Sequence, residues 1–117
     1  MTKIHIAITT DSGIYKHWGI FLDSAKTILQ VRGSDRRFRY EPEDRDARDL
    51  DGLDELIFLC DVDEEKTRRV RRVASMVPVR SEVHGWNCQD WVMEVLDRLE
   101  EEGFRYFYVR GKMEGLV

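Results

Sequence analysis

Alternating apolar and polar residues predict a series of β-strands in the first half of the chain. Between Lys3 and Thr9 every second residue is isoleucine, which is typical of a strand with one buried face. The same pattern predicts strands at His17 to Leu22, Thr27 to Val31, Phe38 to Tyr40 and Leu53 to Val62. Because the first four of these are joined by short connections, we expect them to form an antiparallel meander.

Two amphipathic helices are predicted in the second half of the chain. Asp63 is a suitable N-cap for a helix over Glu64 to Met76, which carries acids at its start and bases farther on. Asn87 is a suitable N-cap for a second helix, Cys88 to Glu102, and a glycine follows its end. The pattern therefore predicts an α+β fold in which an antiparallel sheet of four to five strands packs against two main helices.

Two charged or aromatic segments lie outside these elements. Glu41 to Gly52 has only Ala47 and Leu50 as apolar side chains, and we expect it to be an exposed loop. The aromatic segment Phe104 to Tyr108 suits an edge strand as well as a homodimer contact. A chain of 117 residues with 42% hydrophobic residues has enough apolar surface for one core, so we expect a single domain over residues 1–117.

Composition narrows the range of partners. The net charge of −4 argues against nucleic acid, and the basic run Arg68 to Arg72 is interpreted as a solvated helix face. No apolar run reaches membrane-spanning length, and no signal peptide is recognisable, so we expect a cytoplasmic protein without a membrane anchor. The two cysteines and three histidines show no ligand-like spacing, so neither a metal nor another cofactor is predicted.

The candidate chemistry centres on Cys88. As the first residue of the second helix it faces the positive end of the helix dipole, which favours the thiolate over the thiol. At spacings of three and four residues it shares a helix face with Trp91, Val92, Val95 and Leu99. The thiol is therefore expected to point toward the sheet. The other cysteine, Cys60, lies in an apolar run and is expected to be buried and inert.

Two blocks of the sequence resemble a known family of thiol enzymes. His17 and Trp18 begin an apolar, aromatic strand, and an Asn-Cys-Gln-Asp-Trp-Val block begins the helix at Cys88. Over roughly Tyr15 to Val31 and Trp86 to Leu99 this order resembles the lecithin retinol acyltransferase-like proteins, the circularly permuted branch of the NlpC-type papain-like hydrolases. The Trp-Asn-Cys-Gln-x-Trp-Val block is also similar to small uncharacterised fungal proteins, and that resemblance is the closer.

The resemblance implies a permuted papain-like fold and a cysteine-dependent hydrolase or acyltransferase. It places Cys88 as the nucleophile that forms a thioester with an amide or ester substrate, and His17 as the general base. Gln30 occupies the position of the residue that orients the imidazole, where the family usually has a histidine. An amide can orient an imidazole by hydrogen bonding, but it cannot stabilise imidazolium as a carboxylate would. The substrate would be a small molecule or a peptide or acyl compound, and we do not expect the membrane anchor that several members of that family carry.

The residues around the thiol are candidates for a substrate pocket: Trp18, Trp86, Asn87 and Gln89. An oxyanion hole would need the backbone N–H of Cys88 and one more donor, from Gln89 or from the Asn87 amide. All three tryptophans also suit the hydrophobic core.

Two alternatives remain open at the level of sequence. Because Gln30 replaces a histidine, the chain also suits a catalytically altered papain-like binding module, or an accessory protein of a biosynthetic pathway that uses the same pocket. His84 is a rival base four residues before Cys88, although its position favours a loop histidine. His5 lies on a strand face with Lys3, where we expect it to meet solvent.

Overall fold

Residues 1–10 and 16–105 are described by the computed structural model. They form, in chain order, β1 (Thr2–Thr9), β2 (His17–Leu22), β3 (Thr27–Leu29), β4 (Val31–Arg32), β5 (Arg39–Tyr40), β6 (Glu43–Asp44), a 3-10 helix (Ala47–Asp49), β7 (Leu53–Val62), α1 (Glu64–Met76) and α2 (Cys88–Glu101). The predicted α+β arrangement of an antiparallel sheet and two main helices is confirmed.

The main sheet has five strands in the order β6-β3-β2-β1-β7, and every neighbouring pair is antiparallel. β1, β2 and β3 form the first three strands of the predicted meander, and β7 returns along the free side of β1. The predicted fourth strand, Phe38 to Tyr40, is shortened to β5 and pairs with β4 outside this sheet. Ile6 at the centre of β1 pairs with Ile20 on one side and with Ile57 on the other. A separate ribbon, β4-β5, joins Val31 to Tyr40.

The larger hydrophobic core lies between the sheet and the helices. The three isoleucines of β1 and the even-numbered residues of β2 from Trp18 to Leu22 point into it. From the other side α2 contributes Cys88, Trp91, Val92, Val95, Leu96 and Leu99. Each large side chain buried in this way stabilises the fold by about 1.5–3 kcal/mol. This face therefore fixes α2, and the thiol at its first residue, against the sheet.

The opposite face of the sheet carries a smaller cluster, and it corrects one prediction. Phe21 and Ile28 lie on this face and are covered by Ala47 of the 3-10 helix, which is 0% exposed. Glu41 to Gly52 was expected to be an exposed loop, but it contains β6 and this helix. The sequence pattern did not predict β6 or the 3-10 helix, because a two-residue strand and one buried alanine produce no detectable periodicity.

Both α-helices begin at the predicted caps. The side chain of Asp63 accepts a hydrogen bond from the backbone N–H of Lys66, and α1 follows. Asn87 caps α2, and the helix ends one residue earlier than predicted, at Glu101. Gly103 then has φ +96°, a left-handed conformation that suits a glycine after a helix.

Two further predictions were correct only in part. The predicted strand Thr27 to Val31 is divided at Gln30: β3 stays in the main sheet, and Val31 begins the ribbon with β5. β7 matches its predicted bounds, but Cys60 on it is half-buried rather than buried, and Phe58 is 36% exposed. Since β7 lies at the edge of the sheet, its outer positions are only partly covered.

The C-terminal segment is described only at its start. Phe104 is buried and belongs to the larger core, and its backbone N–H donates to the carbonyl of Leu99. The rest of the predicted edge strand or dimer contact, from residue 106 on, lies outside the described residues. Within the described ranges, neither α-helix combines the length and apolar character needed to cross a bilayer.

Candidate active site at the start of strand β2

The first turn of α2 holds Cys88 through a capping box. The Asn87 side-chain oxygen accepts from the backbone N–H of Gln89 at 2.9 Å, and the backbone N–H of Asn87 donates to Asp90 Oδ2 at 3.0 Å. These bonds satisfy backbone donors that a helix N-terminus otherwise leaves unpaired. Cys88 is therefore the first helical residue, as predicted, and it is 1% exposed.

This end of α2 is docked on the main chain at the start of β2. The side-chain amide of Gln89 donates to the carbonyl oxygen of Lys16 at 2.8 Å. The Cys88 Sγ atom lies 4.0 Å from the same oxygen. Lys16 directly precedes His17, so the thiol reaches β2 within one residue of the predicted base.

His17 and Gln30 are joined by a hydrogen bond. The His17 Nε2 atom lies 2.9 Å from Gln30 Oε1, and Gln30 is 1% exposed. Continuing the β2-β3 register places Gly19 opposite Gln30, and a Cβ added at Gly19 would lie 3.6 Å from the Gln30 Cβ. His17 is thus a diagonal neighbour of Gln30, and the missing side chain at Gly19 leaves room for the contact.

A third polar residue, which the sequence did not single out, touches Gln30. The Gln30 Nε2 atom lies 3.4 Å from Glu43 Oε2, so a line of polar side chains runs across β2, β3 and β6. Glu43 is one of eight charged residues between Glu41 and Asp51. Only the pairing of β6 with β3, which places Glu43 opposite Ile28, distinguishes it from its neighbours.

His17 and Cys88 approach the start of β2 from the two faces of the sheet. Side chains alternate along a strand, so His17 shares its face with Gly19 and Phe21. Phe21 belongs to the smaller cluster, whereas Cys88 belongs to the larger core with Trp18. The structure therefore brings the predicted base together with its orienting residue, and brings the predicted nucleophile to the neighbouring peptide of the same strand.

The predicted pocket residues have structural contacts. Trp18 is buried in the larger core, and the Trp86 ring packs edge-on against Phe38 with 5.7 Å between ring centroids. Asn87 acts as the cap of α2, and Gln89 donates to Lys16. These contacts account for the local packing, and a part in binding substrate stays a prediction for all four residues.

The other two histidines lie in different surroundings. His84 Nδ1 forms an exposed pair with Asp35 Oδ2 at 2.6 Å, so it is a loop histidine, as expected. His5 is half-buried between the rings of Phe21 and Phe58 rather than facing solvent. This burial lowers the pKa of its imidazole below the ordinary value.

Cys60 lies on the edge strand β7, next to Asp61. Burial, with a smaller contribution from the neighbouring Asp61 carboxylate, raises the pKa of the Cys60 thiol to about 11. This cysteine is therefore a thiol at neutral pH and a suitable internal reference for the reactivity of Cys88. No group of three or more potential metal ligands occurs in the parts of the chain that the structure describes.

Comparison with known proteins identifies a family but no characterised relative. A sequence model described as a family of unknown function (DUF6540) matches residues 4–105. No curated protein matches the chain. No solved structure matches it either.

Proposed function

This chain belongs to the DUF6540 family, and we propose that it is a cysteine-dependent hydrolase or acyltransferase that acts on an amide or ester through a thioester on Cys88. The observation that carries the proposal is that His17 and Cys88 both lie at the start of β2, one on each face of the sheet. There a hydrogen-bonded His17-Gln30 pair lies next to Lys16, whose carbonyl oxygen receives both the Cys88 thiol and the Gln89 amide.

In the proposed reaction, His17 takes the proton of the Cys88 thiol. The sulfur attacks the substrate carbonyl carbon, the C–S bond forms, and the imidazolium returns the proton to the departing amine or alcohol as its bond to carbon breaks. Water, or an acceptor alcohol or amine, then attacks the thioester while His17 takes its proton, and Cys88 leaves as thiolate. Because Gln30 bonds to Nε2, the proton transfers with sulfur are assigned to the other ring nitrogen, Nδ1.

The capping geometry narrows the choice of oxyanion donors. The Gln89 backbone N–H donates to Asn87 and its side-chain amide donates to Lys16, so Gln89 is committed to structural bonds. The Asn87 oxygen is likewise engaged, so the donor that this side chain can offer is its amide nitrogen. We therefore assign the oxyanion to the backbone N–H of Cys88 and the side-chain nitrogen of Asn87.

The proposal extends to substrate and cellular location. The substrate is a small acyl compound or a peptide. Cys60 and Cys88 are both thiols rather than a disulfide, as is usual in a reducing compartment, and we assign the protein to the cytoplasm.

An activated ester tests this chemistry directly. On incubation with p-nitrophenyl acetate, intact-mass and peptide mass spectrometry should detect an acetyl adduct on Cys88. Cys88→Ala should abolish the adduct and His17→Ala should slow its formation, while the matched variant Cys60→Ala should behave as wild type. Equal acetylation of Cys60 and Cys88 in the folded protein would exclude the proposed site.

One observation favours a second candidate, a papain-like binding module with altered chemistry. Cys88 is 1% exposed and packs in the larger core, whereas His17 lies on the side of the smaller cluster. For this candidate Cys88 is a core residue that is not acylated, and Cys88→Ser should leave a ligand-induced rise in melting temperature unchanged. Loss of that rise together with loss of acylation would favour the enzyme.

A further inference from the structure

We infer that Glu43 fixes the orientation of the Gln30 amide and, through it, the tautomer of His17. The three side chains form one line over adjacent strands: His17 on β2, Gln30 at the end of β3 and Glu43 on β6. Glu43 would then be a positioning residue that acts on His17 through Gln30. Its value for catalysis rests on the proposed function, but its effect on the tautomer does not.

The argument begins with the buried amide. A glutamine side chain has an acceptor end and a donor end of almost the same size, so packing alone does not decide which way it faces. Gln30 is 1% exposed, so water cannot satisfy whichever end is left without a partner. The backbone holds it in place, because the Gln30 carbonyl accepts from the N–H of Glu41 at 2.8 Å. The neighbours at the two ends of the amide must therefore decide its orientation.

Glu43 determines which group of the Gln30 amide faces it. An ionised carboxylate only accepts hydrogen bonds, so the NH₂ group of Gln30 must face it. The separation of 3.4 Å is long for a hydrogen bond, but the charge still disfavours the reversed amide, which would place two oxygens against each other. The other carboxylate oxygen, Oε1, lies 3.6 Å from Arg45 Nη1. Glu43 is thus held between a cation and the Gln30 amide.

The other end of the Gln30 amide sets which nitrogen of the His17 ring carries the proton. With its nitrogen toward Glu43, Gln30 presents Oε1 to His17 Nε2 at 2.9 Å, and an oxygen acceptor requires a proton on that nitrogen. The neutral ring is then the Nε2–H tautomer, with its lone pair on Nδ1. A base that receives the thiol proton at Nδ1 needs this tautomer. The reversed amide would donate to Nε2, place the ring proton on Nδ1 and remove the base.

The tautomer can be measured without any activity. Long-range ¹H–¹⁵N NMR of protein labelled with ¹⁵N-histidine distinguishes protonated from unprotonated ring nitrogens at about pH 8.5, well above the ordinary histidine pKa of about 6.5. The signals of His17 are assigned by their loss in His17→Phe. Wild type should show the Nε2–H form as the predominant neutral species. A predominant Nδ1–H form would overturn the inference at once.

Reversing the charge at position 43 is the sharper test. An ammonium group only donates, so Glu43→Lys should attract the amide oxygen, turn Gln30 around and invert the tautomer ratio in favour of Nδ1–H. Glu43→Gln can still accept from Gln30 and should retain the wild-type form. The matched control is Glu41→Gln, which changes a neighbouring acid that meets Gln30 only through its backbone. An unchanged ratio in folded Glu43→Lys would contradict the inference.

A second variant tests the inference if the Glu43→Lys protein does not fold. Glu43→Ala removes the anion without adding a charge, so both amide orientations become accessible and the Nε2–H fraction should fall. The experiment also separates the two proposals. Tautomer changes that follow position 43, together with an inert Cys88, would support the role of Glu43 and reject the thiol chemistry. A reactive Cys88 with an invariant tautomer would support the chemistry and reject the role of Glu43.

Discussion

The Nε2 atom of His17 lies 2.9 Å from Oε1 of Gln30, across two neighbouring strands of the sheet. The contact joins a strand terminus to the residue at which the next strand leaves the main sheet for the β4-β5 ribbon. Because the amide is buried and neutral, it can hold the imidazole in place but adds no negative charge to stabilise imidazolium. Gln30 should therefore govern the placement of His17 more than its basicity.

Removing the Gln30 side chain should be costly. Gln30→Ala removes the hydrogen bonds of Gln30 to His17 and Glu43 and opens a cavity where a buried side chain was, so the free energy of unfolding should fall by about 2–4 kcal/mol. Gln30→Met keeps most of the side-chain volume, so it should recover only the part of the lost free energy of unfolding that is due to the cavity. Urea denaturation measures both variants. Wild-type stability in Gln30→Ala would contradict the buried hydrogen-bonded role of this amide.

The cap at Asn87 should affect both the stability of the fold and the alkylation rate of the Cys88 thiol. Asn87→Ala removes the acceptor for the Gln89 N–H and should reduce the free energy of unfolding by about 1 kcal/mol. Asp63→Ala, the corresponding change at α1, should cost a similar amount but leave the alkylation rate of Cys88 unchanged. Thermal unfolding and thiol labelling of the two variants make the comparison. Equal labelling rates of Cys88 in the two variants would show that the cap of α2 has no effect on the reactivity of this thiol.

A pH-dependent prediction concerns the contact between the β2-β3 turn and the 3-10 helix. Hydrogen bonding to Arg48, whose guanidinium is 2.7 Å and 3.1 Å from the two carboxylate oxygens, lowers the pKa of Asp23 from 3.8 to about 2. A depressed carboxyl pKa stabilises the fold above pH 3.8, and this contribution is lost as the pH falls through about 2. Arg48→Ala should therefore lower the free energy of unfolding at pH 7, and the loss should be small because solvent screens two partly exposed groups.

The control for this pair is Arg39→Ala. Arg39 forms a more exposed ion pair with Glu41 at 3.5 Å, and its loss should have little effect. Urea denaturation should show the difference between wild type and Arg48→Ala narrowing between about pH 4 and pH 2. A difference that stays constant over this range would mean that Arg48 acts through its packing over the Phe21 ring and not through Asp23.

Features of the fold that depend on local pattern were predictable from the sequence. The bounds of β2, β7 and α1 agree with the prediction, because alternation, helical spacing and capping residues are properties of neighbouring residues. The same holds for Asn87 and Cys88 at the start of α2. His17 and Gln30 were paired by resemblance, and the structure places them in hydrogen-bond contact.

Features that depend on strand pairing were not predictable. Glu43 contacts Gln30 only because a two-residue strand pairs with β3, and nothing in the run of charges from Glu41 to Asp51 marks one acid above the others. The position of His17 and Cys88 on two faces of the sheet likewise follows from register and helix docking. A one-residue change of register would exchange these faces without altering the hydrophobic content of the sequence.

The relative reactivity of the two cysteines tests the central claim most directly. Iodoacetamide alkylation near neutral pH, followed residue by residue by peptide mass spectrometry, should modify Cys88 at least about 100-fold faster than Cys60, because only a thiolate reacts. His17→Ala should reduce the Cys88 rate, and in urea the two rates should become equal. If folded wild-type protein labels Cys88 no faster than Cys60, whose pKa is raised to about 11, Cys88 is not an activated nucleophile and the proposed chemistry is wrong.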